Sequence, residues 1–392
     1  MRSMDDSRRN YRRNWGMAAG LLVLLAIGAA VLQQALWTCG LAVLLALAGV
    51  VLLRGDRWRT GALLAAALAI SLALLDVFAG FLSPTPIGQG LVKKTDPKWW
   101  PPPDPVLGFR PLPNSQVIAT VTFGPELIYR HTYHFDAAAA RVTPAASAGA
   151  DTYLFMGDSF VFGQGLVDGE SLASQFAKLN DDKVHAVNLG VPGYAPNHLV
   201  RAFEAGLLDR YADQSVKAVV SWIIPGHLAR VTGDGSWLGS SPRYALENGV
   251  PRYTGSFNDY RWTHPLAGLK YLLGEQFQFV DAIGMRQRQQ EQADLFVALM
   301  IRLQELARQK FGAPLIVIYS WPDETSGAGY GDTTLLVPIL KRLRDAGIPL
   351  LSVDSLTGAI NVSQLIIPHD GHPTALVYEM IARELKRRLR PS

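Results

Sequence analysis

The chain has 392 residues, of which 49% are hydrophobic, and its formal net charge is +4. This length is sufficient for more than one domain. The positive charge does not indicate nucleic-acid binding: residues 1–83 hold eight Arg and four Asp, a net charge of +4 that equals the charge of the whole chain. The remainder is formally neutral, so we expect no nucleic-acid partner and attribute the positive charge to the orientation of the chain in a membrane.

Most of the apolar excess lies in the first 83 residues. Three apolar runs, Gly16 to Leu32, Ala35 to Leu53 and Gly61 to Leu82, each come near the ~20 residues that cross a bilayer as a helix. The sequence therefore predicts a tail at 1–13 and three transmembrane helices within 14–83, with membrane lipids as partners. A cleaved signal peptide is the alternative for the first run.

Arginines set the predicted orientation. The link between the first and second runs is uncharged, whereas arginines precede the first run and fill the link between the second and third: Arg2, Arg8, Arg9, Arg12, Arg13, Arg54, Arg57 and Arg59. Positive residues stay on the cytoplasmic side of a membrane. The tail is therefore predicted to be cytoplasmic, and everything after Leu82 extracytoplasmic.

Residues 84–150 are predicted to form a linker and a small β unit. The polar stretch from Ser83 to Lys98 indicates a tether, and the Trp99–Trp100 pair either rests at the lipid interface or packs on the following domain. Residues 104–145 alternate apolar and polar positions, which predicts short strands. The Ala-rich stretch 137–150 is expected to be a surface link.

Residues 151–392 alternate strand and helix patterns. The apolar runs are nearly continuous, which is typical of a parallel sheet buried on both faces, at 152–157, 184–189, 217–224, 314–320 and 348–353. Helical patterns lie at about 196–212, 291–310, 333–346 and 374–389. The predicted fold class is α/β, a doubly wound parallel-sheet domain whose ligand crevice lies at the carboxyl ends of the strands.

An insertion at about 232–284 interrupts this rhythm. It holds six aromatic residues among Gly, Ser and Arg, without a clear period: Trp237, Tyr244, Tyr253, Phe257, Tyr260 and Trp262. Aromatic side chains beside a crevice can stack on sugar rings, which would make the insertion a lid facing a glycan. The alternative is an inserted loop with a small apolar cluster of its own.

Two short motifs carry candidate chemistry. Ser159 stands in Gly157-Asp-Ser-Phe160 directly after an apolar run, and Asp370-Gly-His372-Pro373 lies near the other end of the chain. A strand that enters a tight Gly-x-Ser turn exposes a hydroxyl where a backbone N–H can face an oxyanion. The pair predicts a serine nucleophile with a histidine base.

These motifs resemble the SGNH, or GDSL-type, hydrolase superfamily over roughly residues 151 to 392. The resemblance rests on the GDSF block, on Val187-Asn-Leu-Gly-Val-Pro-Gly193 and on Asp370-Gly-His372-Pro. It implies a flavodoxin-like fold, a catalytic set of Ser159, Asp370 and His372, and oxyanion donation by the backbone N–H groups of Ser159 and Gly193. It implies no cofactor, and the eight histidines show no spacing that predicts a metal site.

The sequence departs from the superfamily pattern twice. Where the family supplies an oxyanion donor from an Asn, this chain has Ser221-Trp-Ile-Ile-Pro-Gly-His227-Leu-Ala-Arg230, so His227 or Arg230 is a substitute candidate. The family's triad Asp lies three residues before the His, and that position here is His369. Asp370, two residues before His372, is predicted to orient the imidazole instead, and Asp158 is expected to be a structural acceptor.

The resemblance extends to periplasmic proteins that add or remove acetyl groups on polysaccharides. It implies a serine esterase or O-acetyltransferase anchored in a bacterial inner membrane, with the catalytic domain in the periplasm and an acylated glycan as substrate. A transferase would need a membrane partner that delivers the acyl donor. Two alternatives stay open, a weakly active glycan-binding or scaffold subunit and a lipid-directed esterase.

Overall fold

The computed structural model describes residues 35–52, 55–82, 90–98, 100–181, 183–276, 285–320, 333–358 and 360–389. The chain divides into two compact units, Met1–Pro84 with His264–Met285, and Thr85–Thr263 with Arg286–Ser392. The first predicted apolar run, Gly16 to Leu32, lies outside the described residues.

The first unit contains three described helices, α1 (Ala35–Leu52), α2 (Asp56–Leu82) and α8 (Pro265–Gln276). In the described chain, one stretch, Asp56–Leu75 of α2, is long and apolar enough to cross a membrane, with a mean hydropathy of 1.7. The apolar part of α1, Cys39–Leu52, is shorter. One candidate span thus overlaps the third predicted run at residues 61–75, and the described residues do not show the predicted three transmembrane helices.

The second unit is built on a five-stranded parallel sheet. Its strands are β6 (Asp151–Gly157), β7 (Val184–Gly190), β8 (Val216–Ile223), β11 (Leu315–Tyr319) and β12 (Leu350–Ser352). They lie in the order β12-β11-β8-β6-β7. All five coincide with the predicted strands to within two residues at each end. The chain is α/β with a parallel sheet, as the sequence predicted.

Helices cover both faces of this sheet and connect its strands: α3 (Ser159–Phe162), α4 (Leu172–Leu179), α5 (Pro196–Glu204), α6 (Gly226–Arg230), α9 (Met285–Phe311), α10 (Thr333–Asp345), α11 (Asp354–Thr357), α12 (Val362–Leu365) and α13 (Ala375–Leu389). Along β6, Leu154 and Met156 belong to one buried cluster, and Tyr153 and Phe155 belong to the other. Because successive side chains of a strand face opposite sides, both faces must be apolar, and this explains the continuous apolar runs.

A three-stranded antiparallel sheet, the β unit, forms from β1 (Leu91–Asp96), β4 (Gln116–Phe123) and β5 (Glu126–His134), in the order β1-β4-β5. A two-residue ribbon of β2 (Pro103–Asp104) and β3 (Gly108–Phe109) lies between β1 and β4 in the chain. Strand β1 falls where the sequence suggested only a tether. Pairing of β1 with β4 uses backbone groups, so a polar segment can join the sheet without an apolar pattern.

Trp100 packs on the folded domain. Its ring centroid lies 5.6 Å from that of Phe135 and 5.7 Å from that of Phe162. Of the two readings for this residue, the structure shows the packed one, and Trp99 lies outside the described residues.

The Ala-rich stretch 137–150 is not simply a surface link. Ala139, Ala140 and Arg141 are buried, and the Arg141 N–H donates to the Asn188 carbonyl of β7. The alanines carry no strong pattern because their burial depends on neighbours far away in the chain.

The insertion at 232–284 forms a β-hairpin, β9 (Pro242–Glu247) with β10 (Val250–Ser256), followed by α7 (Phe257–Thr263). Tyr244 and Phe257 are buried, and the Tyr244 hydroxyl donates to Glu204 of α5 at 2.7 Å. Tyr244 belongs to the same buried cluster as Leu154 and Met156 of β6, so this part of the insertion packs on the core of the parallel-sheet domain. Three of the other aromatic residues, Trp237, Tyr253 and Trp262, are exposed.

Candidate active site

Ser159 is placed at the carboxyl end of β6, an interior strand of the parallel sheet. The strand ends at Gly157, and Ser159 is the first residue of the short helix α3. Asp158 caps this helix, since its Oδ1 accepts from the Phe160 N–H at 2.9 Å. A buried hydroxyl of Tyr378, in α13, donates to the Phe160 carbonyl at 2.7 Å. The turn that carries Ser159 is therefore fixed by the Asp158 cap and by the hydrogen bond from Tyr378 of α13.

Gly190, the last residue of β7, permits α3 to lie close to the sheet. A Cβ at this position would come within 2.3 Å of the Phe162 backbone nitrogen. Any other residue would push α3 away, so the glycine at position 190 has a packing reason.

A tight loop before α13 presents the second motif. The Ile367 N–H donates to the His372 carbonyl at 2.7 Å, and Ile366 bridges Pro373 in an antiparallel pair. Gly371 has φ +77° and His369 has φ +61°. This closure turns Asp370, and not His369, toward the imidazole of His372.

The three predicted catalytic side chains meet in one hydrogen-bonded line. The Ser159 Oγ lies 2.8 Å from the His372 Nε2, and the His372 Nδ1 lies 2.8 Å from the Asp370 Oδ2. All three residues are buried. An ionised Asp370 can only accept, so the Nδ1 carries the proton and the Nε2 is free to accept the serine hydroxyl.

His369, at the position of the family's usual Asp, is not part of this line. Its ring stacks on Phe123 of β4 with centroids 3.9 Å apart. The one-residue change of spacing therefore places the carboxylate in the triad and leaves His369 to pack against the β unit.

The Asp370 carboxylate has a partner on each side, the His372 imidazole and the Lys93 ammonium. Burial alone would raise its pKa, but the hydrogen bond and charge of His372, together with the ion pair to Lys93, lower the pKa to about 2. The Lys93 Nζ lies 2.7 Å from the Asp370 Oδ1, the oxygen that does not face His372. Tyr129 of β5 lies further away, with its hydroxyl 3.5 Å from the Asp370 Oδ2.

Gly193 lies in the turn after β7 and has φ +93°. A Cβ there would be 3.3 Å from Phe109 Cζ and 3.3 Å from Trp237 Nε1. Glycine thus serves two needs at this position, a left-handed backbone and a close approach by two aromatic rings. Phe109 comes from β3, and Trp237 comes from the insertion, in the turn Ser236–Leu238.

His227 and Arg230 both point at Asp158. The His227 Nε2 lies 3.0 Å from the Asp158 Oδ2, and the Arg230 Nη1 donates to the same oxygen at 2.8 Å. Arg230 also donates to the Tyr194 carbonyl at 3.1 Å, beside Gly193. His227 thus contacts the turn that carries Ser159, whereas Arg230 links that turn to the one that carries Gly193. A role of either side chain as an oxyanion donor stays a prediction.

The charges in this cluster are consistent with a bracing role. Although burial would raise the pKa of Asp158, the neighbouring His227 and Arg230 hold that pKa well below its usual range. Burial lowers the pKa of His227, against the opposing effect of the Asp158 charge. At neutral pH, Asp158 is therefore a carboxylate that faces a guanidinium and a neutral imidazole.

Sequence reasoning missed Arg141, which is fully buried under the nucleophile helix. Its guanidinium donates to the carbonyls of Phe162 at 2.6 Å, Gly163 at 2.8 Å and Leu166 at 2.6 Å. Its Nε donates to Asp168 at 2.9 Å. Arg141 lies between alanine and valine in an unpatterned stretch, and no local signal indicates this set of contacts.

The arrangement can accept a proton from a serine hydroxyl and return it to a leaving group, which is the chemistry of acyl transfer. Within the described part of the chain, no group of three or more His, Cys, Asp or Glu side chains is placed to hold a metal ion.

Comparisons with known proteins give only distant structural likenesses. No protein-family model matches the chain, and no curated protein matches it. Among solved structures, a lipase/acylhydrolase from Enterococcus faecalis is 15% identical, covers 62% of this chain and 98% of its own, and has a TM-score of 0.36. A member of the lipolytic G-D-S-L family from Veillonella parvula is 12% identical, with coverage of 61% and 97% and a TM-score of 0.35.

A psychrotrophic esterase from a Pseudoalteromonas species is 12% identical, covers 61% of this chain and 99% of its own, and has a TM-score of 0.35. Likenesses at these identities and scores carry no functional conclusion for this chain. The chemistry of the site rests on the hydrogen-bonded line of Ser159, His372 and Asp370.

Proposed function

We propose that this chain is a serine esterase or acyltransferase whose nucleophile is Ser159. The main support for this proposal is the continuous hydrogen-bonded line of Ser159, His372 and Asp370, in which both contacts measure 2.8 Å. In this mechanism His372 takes the Ser159 proton as the hydroxyl oxygen attacks an ester carbonyl. The imidazolium then returns the proton to the leaving alcohol, and an acyl-serine remains.

The backbone N–H groups of Ser159 and Gly193 are the proposed oxyanion donors. Both belong to turns that follow adjacent parallel strands, β6 and β7, at the same sheet edge. The Asp158–Arg230–Tyr194 contacts tie these two turns together. Fixed donors need no reorganisation as charge develops, which is the source of their catalytic effect.

The proposed setting is a bacterial inner membrane, with the catalytic unit in the periplasm. The apolar stretch Asp56–Leu75 and the arginines that precede it support this orientation. The proposed substrate is an acylated polysaccharide or cell-envelope glycan. The exposed Trp237, whose ring nitrogen approaches Gly193, supports a carbohydrate because an indole face can stack on a sugar ring.

The test is ester turnover by the full-length protein in detergent, measured with acetyl and longer-chain p-nitrophenyl esters. We expect release of p-nitrophenol that falls by about 10⁴-fold or more in S159A. An acetylated oligosaccharide that loses acetate identifies a hydrolase. An unacetylated oligosaccharide that gains acetyl from the aryl ester identifies a transferase.

Other outcomes of the same assay select the alternatives. Preference for long acyl chains over acetyl would favour a lipid-directed esterase. Folded protein with no serine-dependent turnover on any ester or oligosaccharide would contradict the enzyme proposal and favour a glycan-binding scaffold.

A further inference from the structure

We propose that Lys93 is a positioning residue of the active site, which fixes the Asp370 carboxylate through an ion pair and so connects the β unit to catalysis. The inference deepens the proposed esterase function and rests on it. Lys93 lies in β1, about 280 positions before Asp370 in the chain, in a segment that the sequence suggested was only a tether.

The geometry divides the two carboxylate oxygens of Asp370 between two partners. Oδ2 accepts from the His372 Nδ1 at 2.8 Å, and Oδ1 lies 2.7 Å from the Lys93 Nζ. The Asp370 side chain is fully buried, whereas 47% of the Lys93 side chain is exposed. A buried carboxylate oxygen is costly to leave without a partner, and Lys93 supplies that partner from solvent.

Lys93 is also the one Lys or Arg that pairs with this carboxylate in the described chain. The other titratable groups near Asp370 are Tyr129 and Tyr133 of β5, Tyr378 of α13 and the adjacent His369, whose ring stacks on Phe123. Burial raises the pKa of each of these tyrosines, so they stay neutral at neutral pH. Among the described residues, Lys93 is therefore the cation that opposes the carboxylate charge from the side away from the imidazole.

The unusual spacing between Asp370 and His372 explains why the Lys93–Asp370 ion pair would be needed. Asp370 lies only two residues before His372, on a loop that turns through a left-handed residue on each side of it, His369 and Gly371. Such a short loop offers few ways to orient a carboxylate by itself. The Phe123–His369 stack and the Lys93–Asp370 ion pair both hold the loop against the β unit.

Lys93→Met tests the proposal because it keeps an unbranched apolar stem and removes the ammonium. Lys94→Met is the matched control, since Lys94 is the next residue of the same strand and is exposed. Both variants are assayed as full-length protein in detergent with p-nitrophenyl acetate over pH 5 to 9. Thermal melting establishes that each variant is folded, and Lys93→Gln repeats the comparison should Lys93→Met fail to fold.

We expect kcat to fall about 10- to 100-fold in Lys93→Met, with KM changed less than about twofold, because a displaced base costs turnover and not binding. The acid limb of the kcat/KM profile moves to higher pH by at least about 0.5 unit, since an unopposed Asp370 charge stabilises the imidazolium. Lys93→Arg, which keeps the charge, retains activity within about threefold of the wild type.

A double-mutant cycle separates positioning from a general structural effect. In the Asp370→Asn background, Lys93→Met is expected to change kcat less than about twofold, because the lysine acts through the carboxylate. A full further loss in that background would overturn the proposal. So would wild-type kcat and an unshifted pH profile in folded Lys93→Met.

Ser159→Ala distinguishes this inference from the function on which it rests. Wild-type turnover in Ser159→Ala would overturn the esterase proposal itself. Loss of turnover in Ser159→Ala, together with unchanged behaviour in Lys93→Met, would overturn only the role of Lys93.

Discussion

Arg141→Met is expected to destabilise the domain through the segment that follows the nucleophile. The buried guanidinium donates to the carbonyls of Phe162, Gly163 and Leu166 and pairs with Asp168. Methionine can fill much of the same volume, but it cannot donate a hydrogen bond. The variant therefore isolates the polar contribution of Arg141 from its packing contribution.

The expected loss of stability in Arg141→Met depends on which acceptors of the guanidinium keep another hydrogen-bond donor. The Phe162 carbonyl keeps the Asn188 side-chain amide at 3.2 Å, and Asp168 keeps His134 at 2.7 Å. The Leu166 carbonyl loses the donor that the structure gives it. One orphaned buried carbonyl costs about 1 to 3 kcal/mol. Loss of the charged contacts brings the expected total to about 3 kcal/mol, near the lower bound for disrupting a buried ion pair.

Melting of the full-length protein, followed by tryptophan fluorescence in detergent, measures this effect. A loss of about 3 kcal/mol corresponds to a drop of roughly 6 to 12 °C for a domain of this size. Arg130→Met is the matched control, because Arg130 is exposed on β5 and should shift the melting temperature by less than about 2 °C. A melting temperature for Arg141→Met within 2 °C of the wild type would refute the reasoning.

Three further variants probe the site. Asp370→Asn should lower ester turnover by about 10³- to 10⁴-fold. Since the folded pKa of Asp370 is about 2 and lies below its ordinary value, it stabilises the fold above about pH 4 and loses this effect as pH falls toward 2. If the melting temperature of Asp370→Asn fell across this pH range by as much as that of the wild type, the result would contradict this assignment. Gly193→Ala should lower kcat by at least about tenfold, because φ is +93° and two rings lie 3.3 Å from the new methyl group. Gly124→Ala is the control, since Gly124 has φ +55° and open surroundings. Equal effects of the two substitutions on kcat would argue against a special role for Gly193. Trp237→Ala should raise KM for an acetylated oligosaccharide by about tenfold, while its turnover of p-nitrophenyl acetate stays within about threefold of the wild type. An unchanged KM for the oligosaccharide would exclude stacking by this residue.

The parallel sheet could be predicted from the sequence because its signal is local. Each strand is a short apolar run bounded by turn residues, as at Asp151–Gly157, and the run is continuous because both faces are buried. The same locality placed Ser159 at a strand end and His372 before a helix. These two residues meet because parallel strands and their following loops converge on one edge of the sheet.

The partners of the triad could not be predicted in this way. Lys93 reaches Asp370 from a polar edge strand, and Arg141 reaches three carbonyls from an alanine-rich segment. Neither residue lies in a periodic pattern, and each contact joins segments that are distant from or unpatterned in the sequence, Lys93 to the loop before α13 and Arg141 to the segment after Ser159. His227 and Arg230 were suggested as oxyanion donors from their position after β8, whereas their proximity to Asp158 depends on side-chain direction, which spacing does not encode.

Covalent labelling of Ser159 tests the central claim most directly. The full-length protein is treated with a fluorophosphonate, and the modified peptide is identified by mass spectrometry beside S159A and H372A. We expect a single stoichiometric adduct on Ser159 that is absent in S159A and forms at least about 10³-fold more slowly in H372A, because the hydroxyl needs its base. Equal labelling of S159A, or labelling of Ser159 at an unchanged rate in H372A, would contradict the account.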